Sequence, residues 1–276
     1  SDELFAVWGS GPNDVYAVGE NGVILHDTGT WIGGETLTGE NLYGLWGTSA
    51  SNVLAVGYYE TDSPILYQGS YGAFTPSSTS FTGILDSVWS PGADDIYVLG
   101  STSVYHTTDG STWPSRSLPG ALARVWGSSA TDVYVIGLGG TGGVVYHSSD
   151  GGANWSSPTL DDAPSLFGVW GSSATDIYVV GDKGTILHSA DGGETFTAQT
   201  SGTTQPLFAV WGSSASDVYA VGGDATILHT SDRGATWVSV YPIDTSGDTS
   251  WRGVWGSSAT DVYVVGTGGA IVHGHD

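Results

Sequence analysis

Short apolar runs separated by clusters of turn-forming residues divide this chain into pieces of strand length. The stretch 166–199 shows the pattern. LFGVWG (166–171) alternates bulky and small residues, SSATD (172–176) is a turn, and IYVVG (177–181) is an unbroken apolar run. DKG (182–184) turns, TILHS (185–189) is a third strand, ADGGE (190–194) turns again and TFTAQ (195–199) is the fourth. Such a series predicts four antiparallel strands joined by tight turns. Val, Ile, Tyr and Trp dominate the inner pieces, as in strands covered on both faces.

The unit recurs seven times. Its marker reads VWG at Trp8, LWG at Trp46, VWS at Trp89, and VWG at Trp126, Trp170, Trp211 and Trp255. A period near forty residues, rich in strand formers, predicts an all-β seven-bladed β-propeller with four-stranded antiparallel blades. One domain over 1–276 is expected, its blades beginning near residues 4, 42, 85, 122, 166, 207 and 251. The seventh copy supplies VWG, DVYVVG and AIVH and then stops three residues later, so the last blade is expected to be three-stranded and to close by packing against blade one. Its third strand would then be an edge open to strand addition by a partner chain or by a second copy.

Two further registers run through the repeat. Six residues after each Trp stands Asp14, Asn52, Asp95, Asp132, Asp176, Asp217 or Asp261, which reads as a partner for nearby turn backbone. Eleven after each Trp is a glycine, among them Gly19, Gly181 and Gly266, expected to supply a positive φ in the following turn.

Composition adds compartment and partners. The chain has no Cys, no Met, and 28 acidic against 5 basic residues, for a net charge of −23. Disulfides and thiolate metal sites are excluded. The charge repels nucleic-acid phosphates and anionic lipid and suits cationic partners. No run is apolar and long enough to span a membrane. A start at Ser1 without Met, scarce Lys and abundant Gly, Ser and Thr predict an exported bacterial protein, secreted, periplasmic or on the cell surface, with its export signal removed.

Between the third and fourth strands the chain reads SSDGGANW (148–155), SADGGETF (189–196) and TSDRGATW (230–237), with a shorter TTDGSTW at 107–113. These resemble the Asp-box (BNR) repeat, S-x-D-x-G-x-T-W, of sialidases, other glycosidases and photosystem II assembly factors of the Ycf48/Hcf136 type. Blade one keeps DTGTW (27–31), and YQGSYGAF (67–74) in blade two is degenerate. The resemblance implies a propeller and structural roles for Asp109, Asp150, Asp191 and Asp232, on the face away from a catalytic site.

The histidines His26, His106, His147, His188, His229 and His273 close third strands, with Tyr67 expected in that place in blade two. Equivalent positions on neighbouring blades lie roughly 10 Å apart, so they cannot converge on one ion. No metal site and no cofactor are expected, since no D-x-D-x-D-G loop occurs either.

Departures from the repeat are the best pointers to function. Three residues before each Trp the chain has Phe5, Tyr43, Phe167 or Phe208, but Asp86, Ala123 and Arg252 in the third, fourth and seventh copies. Two before, the residue is small except Arg124. Asp86 and Arg124, on adjacent blades, predict an ion pair. Trp251 stands where the other copies have Leu, as either a larger core plug or an exposed platform for a sugar ring. Blade two carries an expanded turn with Tyr58, Tyr59, Glu60 and Asp62, on the face of the variable connections that hold Glu35, Glu40, Asp161, Asp162, Asp244 and Asp248. The candidate ligand face therefore carries Tyr58, Tyr59, Glu60, Asp62, Asp86, Arg124, Trp251 and Arg252.

Two functions compete. A non-catalytic binding or scaffold propeller, recognising a protein or a glycan, needs no special residues. A glycoside hydrolase of the Asp-box propeller type needs two placed carboxylates. The sialidase variant needs an arginine cluster, but the four arginines are Arg116, Arg124, Arg233 and Arg252, and no R-I-P occurs. No catalytic residue is assigned.

Overall fold

A computed structural model describes residues 2–37, 39–59, 63–77, 79, 81–140, 142–160, 163–240 and 249–275. Seven antiparallel sheets follow one another in chain order, each beginning with its innermost strand: Leu4–Gly11, Asn41–Ser49, Leu85–Trp89, Ala121–Ser129, Leu166–Ser173, Leu207–Ser214 and Trp251–Ser258. This is the seven-bladed propeller that the repeat predicts. Blade seven has three strands among the described residues, ending in Ile271–His275. Blade four also has a three-stranded ladder, its outer segment joined only by a bridge between His147 and Ser156. Among the described residues, three single-turn 3-10 segments, one of them Asp182–Gly184, are the helical elements.

The Trp-Gly phrase packs one blade on the next. A methyl group built on Gly212 would lie 2.7 Å from the ring of Trp170, and one on Gly256 would lie 2.6 Å from that of Trp211. The indole of each blade lies over the glycine that follows the next blade's Trp, so a side chain there would displace it. Trp255 meets Gly9 in the same way, so blade seven closes on blade one through the standard contact. Blade three has Ser90 at this position, and there the indole of Trp46 donates to the Ser90 carbonyl at 2.9 Å.

The glycine eleven residues after each Trp works differently from expectation. Gly19, Gly181 and Gly266 have φ of −169°, −166° and −173°, which is extended backbone. The bulge in the innermost strand brings a carbonyl against them instead: a Cβ would collide with the oxygen of Glu3, Ser165 or Ser250. The left-handed residues of these turns lie further on, at Asn21 (φ 54°) and Lys183 (φ 57°).

The recurrent Asp and His form one device. Asp14, Asp95, Asp132, Asp176, Asp217 and Asp261 each bond the Nε2 of His26, His106, His147, His188, His229 and His273 at 2.6–2.8 Å. Each imidazole stacks on the Tyr paired with it across the ladder, with centroids 3.7–4.4 Å apart. The second carboxylate oxygen accepts from Ser10, Ser128, Ser172, Ser213 or Ser257 in five of these blades. The Asp therefore ties the second strand to the third rather than capping turn backbone. In blade two the ladder register pairs Leu54 with Gln68, so Gln68 and not Tyr67 takes the histidine's place. Gln68 donates to Asn52 at 2.7 Å, an amide pair in place of the carboxylate and imidazole.

The Ser-x-Asp-x-Gly turns sit on the opposite end of the blades from the variable connections. Asp150 accepts from the Asn154 amide at 2.8 Å and the Asn154 side chain at 2.7 Å, and Ser148 donates to it at 2.9 Å. Asp191 and Asp232 repeat the arrangement with Thr195 and Thr236, and Asp109 with Ser111 and Thr112. These bonds hold all four carboxyls below the usual range, Asp191 at about 2. A depressed carboxyl stabilises the fold above its unfolded pKa, near 3.9, and loses that contribution as pH falls through the folded value. Thermal melts are expected to be flat near neutrality and to fall between about pH 4 and pH 2, with a shallower acid fall in Asp191→Asn. An equal acid fall in that variant would remove this turn as a cause.

Candidate functional site

The innermost strands converge on a channel, and their crowding dictates its lining. Gly44, Gly168 and Gly253, each two before its Trp, have neighbouring backbone within 3.0–3.2 Å of where a Cβ would be. Small residues are therefore required, and Arg124 is the departure. Its guanidinium lies in the channel and donates to the backbone carbonyls of Ala123 at 2.9 Å and Asp86 at 3.3 Å. The expected Asp86–Arg124 ion pair is thus replaced by a bond to the Asp86 carbonyl. The charges still interact through space: burial raises the Asp86 carboxyl and lowers Arg124, and each opposes the other's shift. The Asp86 carboxylate accepts no hydrogen bond among the described residues.

One residue further out, the side chains form a ring around the mouth on the variable-connection face. Phe5 stacks on Tyr43 at 4.8 Å, and Tyr43 on Tyr58 at 5.5 Å. Across the mouth Phe167 meets Phe208 at 5.6 Å, and the Arg252 guanidinium sits 4.5 Å above the Phe208 ring. All six are half-buried. Burial, then the hydrogen bond with Tyr58, pushes the Tyr43 hydroxyl up to about 12.

Arg252 also pairs with Glu3 at 2.7 Å, and the Glu3 amide donates to Glu20 at 3.0 Å. This links the end of blade seven to the segment entering blade one. Both channel-mouth arginines therefore bond protein acceptors, so neither is a ready anchor for a substrate carboxylate.

Trp251 is 2% exposed and packs with Val221, Ile227, Val254, Val262 and Val264. It is the core plug, which removes it as an exposed stacking platform. Its indole nitrogen has no hydrogen-bond partner among the described residues. Tyr59 closes the strand Asn52–Tyr59. Glu60 and Asp62 lie outside the described residues, as do Asp161, Asp162, Asp244 and Asp248. Glu40 is buried and accepts from the Tyr67 hydroxyl at 3.3 Å. The ring as a unit was missed in the sequence reading. Its signal is the aromatic three before the Trp in four copies, which passes for ordinary core until the bulge beside it turns the side chain to the mouth.

The channel has a volume of about 140 Å³, below the roughly 300–1,000 Å³ of small-molecule pockets. A ligand on this face therefore rests on the rings at the mouth. Outside the ring the turns present Glu20, Asp182 and Asp224, with Lys183 as a single opposing charge among them. The mouth is aromatic and its surround is acidic.

The fold and mouth define a seven-bladed propeller with an aromatic ring on its variable face. Residues 48–176 match the DUF6242 beta propeller domain family. No curated protein matches the chain. Among solved structures, YCF48 bound to D1 peptide is similar at 12% identity and a TM-score of 0.81, covering 100% of this chain and 94% of that one. The WD40 beta propeller domain of Doa1 is similar at 12% identity and a TM-score of 0.77, with 98% and 92% covered. The GH74 enzyme of Niastella koreensis is similar at 16% identity and a TM-score of 0.70; this chain covers 43% of it and is itself 99% covered. At these identities the likeness is one of fold.

Proposed function

We propose that this protein is a binding scaffold that recognises an extended, basic segment of another protein across its variable-connection face. An aromatic or aliphatic side chain of the partner rests among Phe5, Tyr43, Phe167 and Phe208, and its flanking Lys or Arg meet the acidic surround. The observation that carries this reading is the ring of half-buried aromatic side chains inside an acidic rim. Asp86, desolvated and accepting no hydrogen bond among the described residues, is the anchor for a cation close to the rings. The net charge of −23 supports long-range attraction of a basic partner. The peptide held by the similar YCF48 structure is in keeping with a protein ligand. We read the compartment as extracellular or periplasmic, supported by the scarcity of Lys and the abundance of Gly, Ser and Thr.

The test is a screen of the purified chain against basic and acidic peptide panels, a glycan array and a panel of polysaccharide substrates. Basic peptides with an aromatic anchor are expected to bind, with affinity that falls as salt rises. Binding confined to glycans, or hydrolysis of a polysaccharide, would overturn the reading in favour of a carbohydrate-active propeller.

A further inference from the structure

At its mouth this chain holds a cation of its own. The Arg252 guanidinium lies 4.5 Å above the Phe208 ring, and its Nε donates to the Glu3 carboxylate at 2.7 Å. A planar cation can rest its face on a ring while its edge meets a carboxylate, an arrangement that suits arginine. At this end of the Phe167–Phe208 pair the order is therefore ring, guanidinium, carboxylate.

The other end of the same pair repeats that order with its middle member missing. Phe167 meets Phe208 on its blade-six side, and on its blade-four side it meets no second ring and no cation among the described residues. Blade four places Ala123 at this level, where the other copies carry Phe, Tyr, Asp or Arg. Beyond Ala123 stands Asp86 of blade three, whose carboxylate accepts no hydrogen bond among the described residues. Asp86, Ala123 and Phe167 are all half-buried and so partly open to the mouth. Neighbouring innermost strands approach closely: a Cβ on Gly168 would lie 3.0 Å from the Ala209 Cα, and one on Gly44 would lie 3.0 Å from the Ser87 Cα. Asp86 and Phe167, on either side of Ala123, are therefore within reach of one guanidinium.

We propose, resting on the reading of the mouth as the recognition surface, that the gap over Ala123 is an arginine-selective subsite. A guanidinium of the partner lies on the free face of Phe167 and donates to the Asp86 carboxylate, as Arg252 lies on Phe208 and donates to Glu3. Lysine fits this place less well. Its ammonium is a strongly hydrated point charge with no plane to lay on the ring and no fork to match the carboxylate. Arg124 prepares the site. It spends its hydrogen bonds on the carbonyls of Ala123 and Asp86, and its charge opposes the rise that burial imposes on the Asp86 carboxyl. The carboxylate form is thus favoured while its oxygens stay available. Repulsion between Arg124 and the incoming cation is set against the acidic surround and a net charge of −23.

The probes are two blocked peptides, acetyl-GRGFGRG-amide and its lysine analogue acetyl-GKGFGKG-amide, titrated into the full chain. The arginine peptide is expected to bind at least tenfold more tightly, the scale of a bidentate, stacked guanidinium contact. Asp86→Asn is expected to weaken the arginine peptide by about tenfold and to bring the two peptides within about threefold of each other. Ala123→Leu, which fills the gap, is expected to remove the same preference; if Asp86→Asn fails to fold, this variant decides. Equal binding of the two peptides to the wild-type chain would overturn the arginine site and leave the mouth standing as a surface for basic segments. An arginine preference that persists in both folded variants would also overturn it, placing the guanidinium elsewhere. Binding of neither peptide at millimolar concentration would overturn both this site and the reading on which it rests.

Discussion

Trp8→Ala is expected to cost about 3–5 kcal/mol, the range for deleting a large buried aromatic. Trp8 is 6% exposed and packs with Tyr16, Leu42, Leu45 and Val53, its ring over Gly47 of blade two. Its removal opens a void at an interface that cannot collapse freely, because the other blades hold the ring at its circumference. A fall in melting temperature on the order of 10 °C should accompany it. Gly212→Val, which drives a side chain into Trp170 from the other side of an equivalent contact, is expected to act in the same direction. Urea unfolding of both variants checks the claim; a loss below 1 kcal/mol in both would show that the Trp-Gly contact does not hold the blades together.

His188→Ala is expected to cost about 2–4 kcal/mol, combining a lost hydrogen bond to a charged group with lost stacking. His188 bonds Asp176 at 2.8 Å and lies 4.4 Å from the ring of Tyr178. The truncation leaves Asp176 with Ser172 as its remaining side-chain partner. A second change, Asp176→Asn with His188→Gln, copies the neutral Asn52–Gln68 pair of blade two and is expected to recover part of the loss. Thermal melts of the single and double variants decide it. A double variant no better than His188→Ala would mean that the blade-two pair depends on surroundings specific to that blade.

The fold was readable because propeller packing repeats, and repetition prints the same residues seven times. The three-stranded last blade followed from counting strands. What the sequence hid were the partners of the repeated residues. Asp176 and His188 lie 12 apart, and only the ladder register shows that they bond. Gly181 carries no sign that a carbonyl, and not a positive φ, demands it. At the mouth, Asp86 and Arg124 were found as departures from the repeat, but their charges suggested a contact that the backbone carbonyls replaced.

The central claim is that recognition occurs on the aromatic mouth. Its most direct test is titration of one basic peptide that binds the wild-type chain, repeated with Tyr43→Ala, Phe208→Ala and Asp191→Asn. Losing one aromatic contact is worth roughly 1–3 kcal/mol, so the account predicts a dissociation constant raised about tenfold or more by Tyr43→Ala and by Phe208→Ala, and unchanged by Asp191→Asn. Unaltered binding in both aromatic variants, with loss in Asp191→Asn while it stays folded, would contradict it and move recognition to the opposite face.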